Sequence, residues 1–202
     1  MDLHRPASLD RQRVEAWTAE IVAGVPSGVE AAFGAKAGRG PAIVWQPPVE
    51  RLAAPQLRFL LRYWAELAGA RKMPRSKDID ALEMRAALGY VNLLDVIEDG
   101  ADFRYRVFGS VVAAVSGYDM GGQPVSTLKA SPHIIEFTLA SYRAAAQRGE
   151  PLLTEYGPPA PGQTVAWHTI VLPLADAGGA TIRLLVGSVP LANDGRPISL
   201  RL

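Results

Sequence analysis

The side chains that could do chemistry are few. The chain of 202 residues has three histidines, His4, His133 and His168, and no cysteine. The missing thiols remove a thiolate nucleophile, a disulfide framework, Cys-ligated zinc or iron–sulfur clusters, and a flavin–cysteinyl adduct. Three scattered imidazoles are too few for a His-rich metal site. His133 falls at the second position of a helix opened by Ser131-Pro132, where the helix N-terminus disfavours a cationic imidazole. Haem ligation there has no supporting pattern, and a surface or cap-adjacent histidine is the plainer reading. His168 follows Trp167 in the segment Thr164–Leu172. Strand alternation sets His168 with Ala166, Ile170 and Leu172, and Trp167 with Val165, Thr169 and Val171, so one of the pair faces inward. A satisfied core imidazole competes with a polar anchor in an apolar pocket.

The remaining charged groups read as structure. Phe103 and Tyr105 share one strand face, with Arg104 and Arg106 on the other. Arg106 is within reach of Asp95 across a hairpin, or of Asp78 and Asp80. A surface ion pair is the simpler reading and a carboxylate or phosphate clamp the functional one. The basic run Arg71–Lys77 lacks interleaved aromatics and is followed by Asp78 and Asp80, which argues against nucleic acid. Gly117–Gly122 matches neither a P-loop nor a dinucleotide fingerprint. No nucleophile elbow, zincin or kinase signature is present.

These residues need elements to hold them. Hydrophobic residues make up 49% of the chain, enough for a core, and basic and acidic residues nearly cancel at net +1. Neither half is polarised, so neither a nucleic-acid partner nor an anionic membrane surface is expected. No apolar run is long enough to span a bilayer, and the charged N-terminus lacks a signal-like apolar stretch, which makes the cytoplasm the expected compartment. Residues 1–50 read as an N-terminal extension and linker, partly helical: Ser8 caps a short helix carrying Val14, Trp17, Ile21 and Val22. Residues 24–50 then form a loose linker with an apolar knot at Ile43-Val44-Trp45. Pro55 and Gly69 bound a helix with the stripe Leu57, Leu60, Leu61, Trp64. Asp80 and Glu83 suggest a capping box and a short helix through Leu88. Tyr90–Ile97, a turn at Asp99-Gly100 and Phe103–Phe108 make a hairpin. A short helix at 110–116 precedes the long helix 132–147. Three strands follow, at 152–156, 164–172 and 181–189, with a Pro/Gly loop at 157–162 and a tail at 193–202. This order implies an α+β fold, a five-stranded antiparallel sheet with helices on one face.

The order is that of a PAS domain, and the phrases LRYW (61–64), RKMPRSKDID (71–80), LLDV (93–96), FRYRVFGS (103–110), the glycine turn 117–122 and VLPL (171–174) resemble the PAS_5 family, a bacterial PAS-like group. Ala81 departs from the family's usual proline. The PAS-like domain would then span 51–192. The resemblance implies a sensory or interaction module with its pocket between the long helix and the sheet. Tyr105, His133, Phe137, Trp167 and His168 become its candidate ligand-binding residues. The expected partner is a small-molecule ligand or a protein, with output in trans and a homodimer as one arrangement. The cofactor stays open. Two rivals remain: a small α+β enzyme using His168 or His133 as base, and an interaction module with a filled core and no ligand.

Overall fold

The structure, a computed structural model, describes residues 9–37, 40–157, 166–192 and 195–199. The hairpin leads the sheet: β2 (Val91–Ile97) and β3 (Asp102–Val107) pair antiparallel around a turn in which Glu98, Asp99 and Gly100 all have positive φ. Only Gly adopts that conformation freely, and Asp tolerates it better than most residues, so Asp99-Gly100 is the stop signal it resembled. β4 (Leu152–Tyr156), β5 (Ala166–Ala175) and β6 (Thr181–Leu191) supply the next three strands. A sixth strand, β1 (Ala42–Trp45), joins the edge from inside the expected linker. It runs Ala42↔Glu155 to Trp45↔Leu152 along β4. The sheet order is β1-β4-β5-β6-β2-β3, with every pairing antiparallel.

Both faces of this sheet carry helices. α3 (Pro55–Ala68) begins at Pro55 and stops at Gly69, which caps it with positive φ. Its stripe of Leu57, Leu60, Leu61 and Trp64 is buried against Ile170, Leu172, Leu174 and Leu185. Trp64 Nε1 donates to Pro173 O at 2.8 Å, satisfying the indole inside the core. The stripe is therefore core, not a free dimer surface. α5 (Pro132–Arg148) lies with the opposite face, where Val171, Leu184 and Val186 point, while α4 (Ser110–Ser116) puts Val111 into the α3 core and Val112 on the α5 side. Two N-terminal helices, α1 (Arg11–Ala23) and α2 (Ser27–Ala37), share that second core through Val14, Trp17, Ile21, Val29 and Phe33.

Several local expectations change. Ser8 lies outside the described residues; Asp10 caps α1, accepting from Arg13 N at 3.1 Å. The segment 24–50 holds α2 and β1 rather than a loose linker. Residues 81–87 form turns, because Asp80 Oδ1 accepts from Leu82 N at 2.8 Å and closes an Asx turn where a capping box was expected. Most of the Pro/Gly loop is outside the described residues. Part of the expected tail is docked: Ile198 N donates to Pro190 O at 2.9 Å, and Tyr90 OH to Ile198 O at 2.9 Å. Among the described residues no helix is long and apolar enough to cross a membrane.

Candidate functional site

Between α5 and the sheet lies a cavity of about 740 Å3. Helical period selects its helix wall: Ser131, Ile134, Phe137, Thr138, Ser141 and Tyr142 fall on one side of α5. The sheet floor is a polar row. Register sets Thr154 of β4 beside Thr169 of β5, and Thr169 beside Ser188 of β6. Thr169 Oγ1 donates to Ser188 Oγ at 3.4 Å, and so does Asn92 Nδ2 from β2, also at 3.4 Å. Asn92 Oδ1 accepts from Gly109 N at 3.0 Å, which fixes the orientation of the amide. Four strands thus present hydroxyls and an amide on a face that is otherwise apolar. Tyr105, Phe108, Tyr118, Tyr156 and Trp167 wall the space between floor and helix. The exposed Lys129 stands at its mouth, 5.8 Å from the Tyr118 ring centroid.

The phenols inside are neutral groups. Burial first, and the nearby Tyr142 hydroxyl, push the Tyr105 phenol well up. Burial likewise raises Tyr142 and Tyr156 above the ordinary tyrosine range. At neutral pH they act as hydroxyl donors and acceptors, not as bases. Across from the floor, the Ser141 Oγ is buried and has no hydrogen-bond partner in the structure.

Of the five candidate ligand-binding residues, the fold brings Tyr105, Phe137 and Trp167 to this cavity. His133 and His168 do not line it. His133 is buried on another side of α5, edge-on to Phe33 at 5.3 Å. The alternation of β5 separates the other pair: Trp167 faces α5, and His168 takes the opposite face with Ile170. There His168 Nδ1 lies 3.3 Å from Glu155 Oε1, and Glu155 also receives both terminal nitrogens of Arg51 at 3.1 and 2.7 Å. Burial lowers the His168 pKa, Glu155 opposes this, and Arg51 adds to it. The two imidazoles are thus parted by the sheet. Arg106 meets Asp95 at 3.0 Å, which is the hairpin ion pair rather than a ligand clamp.

The residues missed at the level of sequence are Asn92, Ser141, Thr154 and Ser188. Asn92 interrupts an apolar strand segment and was a readable signal. Ser141, Thr154 and Ser188 carry none, because their shared cavity exists only once four strands and α5 are assembled. Among the described residues no cluster of three metal-ligating side chains occurs.

No curated protein matches the chain. One solved structure, an RNA-binding Light-Oxygen-Voltage receptor, is 12% identical with a TM-score of 0.41, aligning over 91% of this chain. This chain covers 60% of that one. A family model for the PAS domain, PAS_5, matches residues 52–189. That span holds the whole cavity lining, Asn92 through Ser188, together with α3 and nearly all of β6. With the match covering well over half of its length, the chain belongs to the PAS_5 family of PAS domains, a sensory and signalling fold.

Proposed function

We propose that this protein is a non-enzymatic sensory domain that binds a small molecule between α5 and the sheet and signals to a separate partner through α1 and α2. The cavity carries the reading. Its volume lies within the roughly 300–1,000 Å3 of small-molecule sites, and it combines ring walls with a few placed polar groups. Neither His133 nor His168, the bases of the enzyme alternative, lies on its lining among the described residues, which favours the sensory reading. A filled-core interaction module would not keep such a space.

Output has a short physical route. Phe33 of α2 packs edge-on against Phe137 at 5.1 Å and Tyr156 at 6.2 Å, both on the cavity wall. A ligand that shifts either ring must shift Phe33, because packed rings leave no slack. The test is a fluorescence titration with N-phenyl-1-naphthylamine, an apolar ring compound, on the full chain and on Ser141→Phe, which fills the cavity from the helix side. One-to-one binding that the substitution abolishes supports the reading. No binding to the unaltered chain, or binding indifferent to the substitution, overturns it.

A further inference from the structure

The two edges of the sheet end differently. At the β3 edge the outward backbone donors are already used. Tyr105 N donates to Gln123 O at 3.1 Å and Phe103 N to Asp102 Oδ1 at 2.7 Å, while Gly122 N donates to Tyr105 O at 2.8 Å. Arg104 also bridges antiparallel to Pro124 there. The β1 edge is open.

Alternation fixes which β1 groups face outward. Gln46 N donates to Pro151 O at 2.8 Å, so Gln46, Val44 and Ala42 carry the hydrogen bonds to β4. The backbone N–H and C=O groups of Ile43 and Trp45 therefore point away from the sheet. Among the described residues none of these groups has a backbone partner. All of β1 is only half-buried. We propose that β1 pairs with β1 of a second copy of this chain, antiparallel about a two-fold axis at Val44, which joins two sheets into one.

The strand is complementary to itself. About that axis Ile43 faces Trp45 of the second copy, and Val44 faces its own counterpart. Each outward Ile43 N–H meets a Trp45 C=O and each outward Trp45 N–H an Ile43 C=O, so no edge group is left over. Ile43 against Trp45 is also a favourable cross-strand pair of branched and aromatic side chains. Self-pairing brings every charge on an edge strand close to its own copy, and Lys or Glu on an edge blocks it for that reason. No charged residue lies between Pro41 and Pro47.

The rest of the molecule limits the pairing to two chains. Because the β3 edge is occupied, β1 of one copy has no open β3 edge to add to in the next. Pairing β1 with β1 uses the open edge of both copies, so the assembly closes as a dimer and does not grow into a fibre. Its length is limited as well. Pro41 and Pro47 have no N–H to give, and Gln46 turns the chain with φ 44°. A pairing this short gives a dimer that depends on concentration.

The chain has no cysteine, so single substitutions in the full chain report the register by disulfide formation. Across the axis Val44 and its counterpart form a non-hydrogen-bonded pair, with Cα atoms about 4.5 Å apart and within disulfide range. Under mild diamide oxidation, Val44→Cys is expected to link into a covalent dimer about tenfold faster than Leu82→Cys, a 79% exposed position that reports random collision. Ile43→Cys should stay near the collision rate, because its counterpart is two residues out of register and beyond disulfide reach. Sedimentation of the unaltered chain should show a dimer fraction that rises with concentration. Ile43→Pro, which removes an outward N–H, should shift it toward monomer. Val44→Cys linking no faster than Leu82→Cys, or no faster than Ile43→Cys, overturns the proposal. So does a dimer that Ile43→Pro leaves unchanged, since it lies on another surface. A chain that stays monomeric at every concentration also overturns it, and leaves the β1 edge to a strand of another protein.

Discussion

Asp95 illustrates how a charged residue inside a sheet is kept ionised. Its Oδ1 accepts from Arg183 Nε at 2.7 Å and its Oδ2 from Arg106 at 3.0 Å, while Arg183 also donates to Ser76 Oγ at 2.8 Å. Partial burial opposes the charge, but the two guanidinium hydrogen bonds outweigh it and hold the carboxyl below its usual range. A carboxylate whose pKa falls on folding stabilises the native state above its unfolded pKa, near 3.8, and loses that contribution as pH drops through the lower folded value. Asp95→Asn is therefore expected to lower the urea midpoint at pH 7. The gap to the unaltered chain should narrow as the buffer is taken below pH 4. A gap constant across that range would show that the ion pairs contribute nothing. Arg106 and Asp95 were legible as a hairpin pair. Arg183 was not, because β6 reaches β2 only after a long excursion through α5.

Helix α3 and strand β6 meet at a glycine. A Cβ on Gly187 would lie 2.6 Å from Leu60 Cδ1 and 2.8 Å from Leu57 Cδ2. Those leucines belong to the stripe that seats α3 on the sheet. Gly187→Ala must push α3 away or force both leucines off their rotamers, an overpacking cost of about 1–3 kcal/mol. Equilibrium urea denaturation reads this as a lower midpoint with an unchanged slope; no change would mean that the leucines yield freely. The α3 stripe itself was plain from its 3.6-residue period and its proline and glycine ends. Its destination was not: amphipathicity shows that a face is buried, and says nothing about whether sheet, second helix or second chain covers it. β1 escaped for a related reason. Four residues are too few for alternation to register, and only pairing with β4 makes them a strand.

At the scale of the whole molecule, the N-terminal region packs against the helix that walls the site. Glu136, 1% exposed, accepts from Asp10 N at 3.0 Å and from Arg13 at 2.9 Å, tying the start of α1 to α5. At the other end Trp45 Nε1 donates to Ile21 O at 2.9 Å, and Arg148 lies 4.2 Å over the Trp45 ring and donates to Val22 O at 3.2 Å. α1 is thus pinned at both ends to α5 and the sheet edge. Deleting residues 1–40 strips Val14, Trp17, Ile21 and Phe33 from the second core and leaves Glu136 without its arginine. We expect a fall in thermal midpoint of several degrees and self-association on size exclusion, since one fully buried aromatic alone is worth about 3–5 kcal/mol. An unchanged midpoint would show that α1 and α2 fold independently of the sheet.

What the sequence determined by itself is local and periodic. It set α3, α4 and α5, the β2–β3 hairpin, the position of β4, and the opposition of Trp167 and His168 on β5. These follow from proline and glycine punctuation and from alternation, both of which act between neighbours in the chain. The family phrases added the resemblance to the PAS_5 family, and the order of strands in the sheet came from the structure. Only the tertiary structure decided which side of β5 became a cavity and which a packed core. It also decided that Trp167, not His168, faces the cavity, and that Asn92, Thr154, Thr169 and Ser188 stand in one row. The reason is physical: a site made by four strands and a helix depends on register and layer packing, and contacts between residues far apart in sequence leave no period in the chain to read.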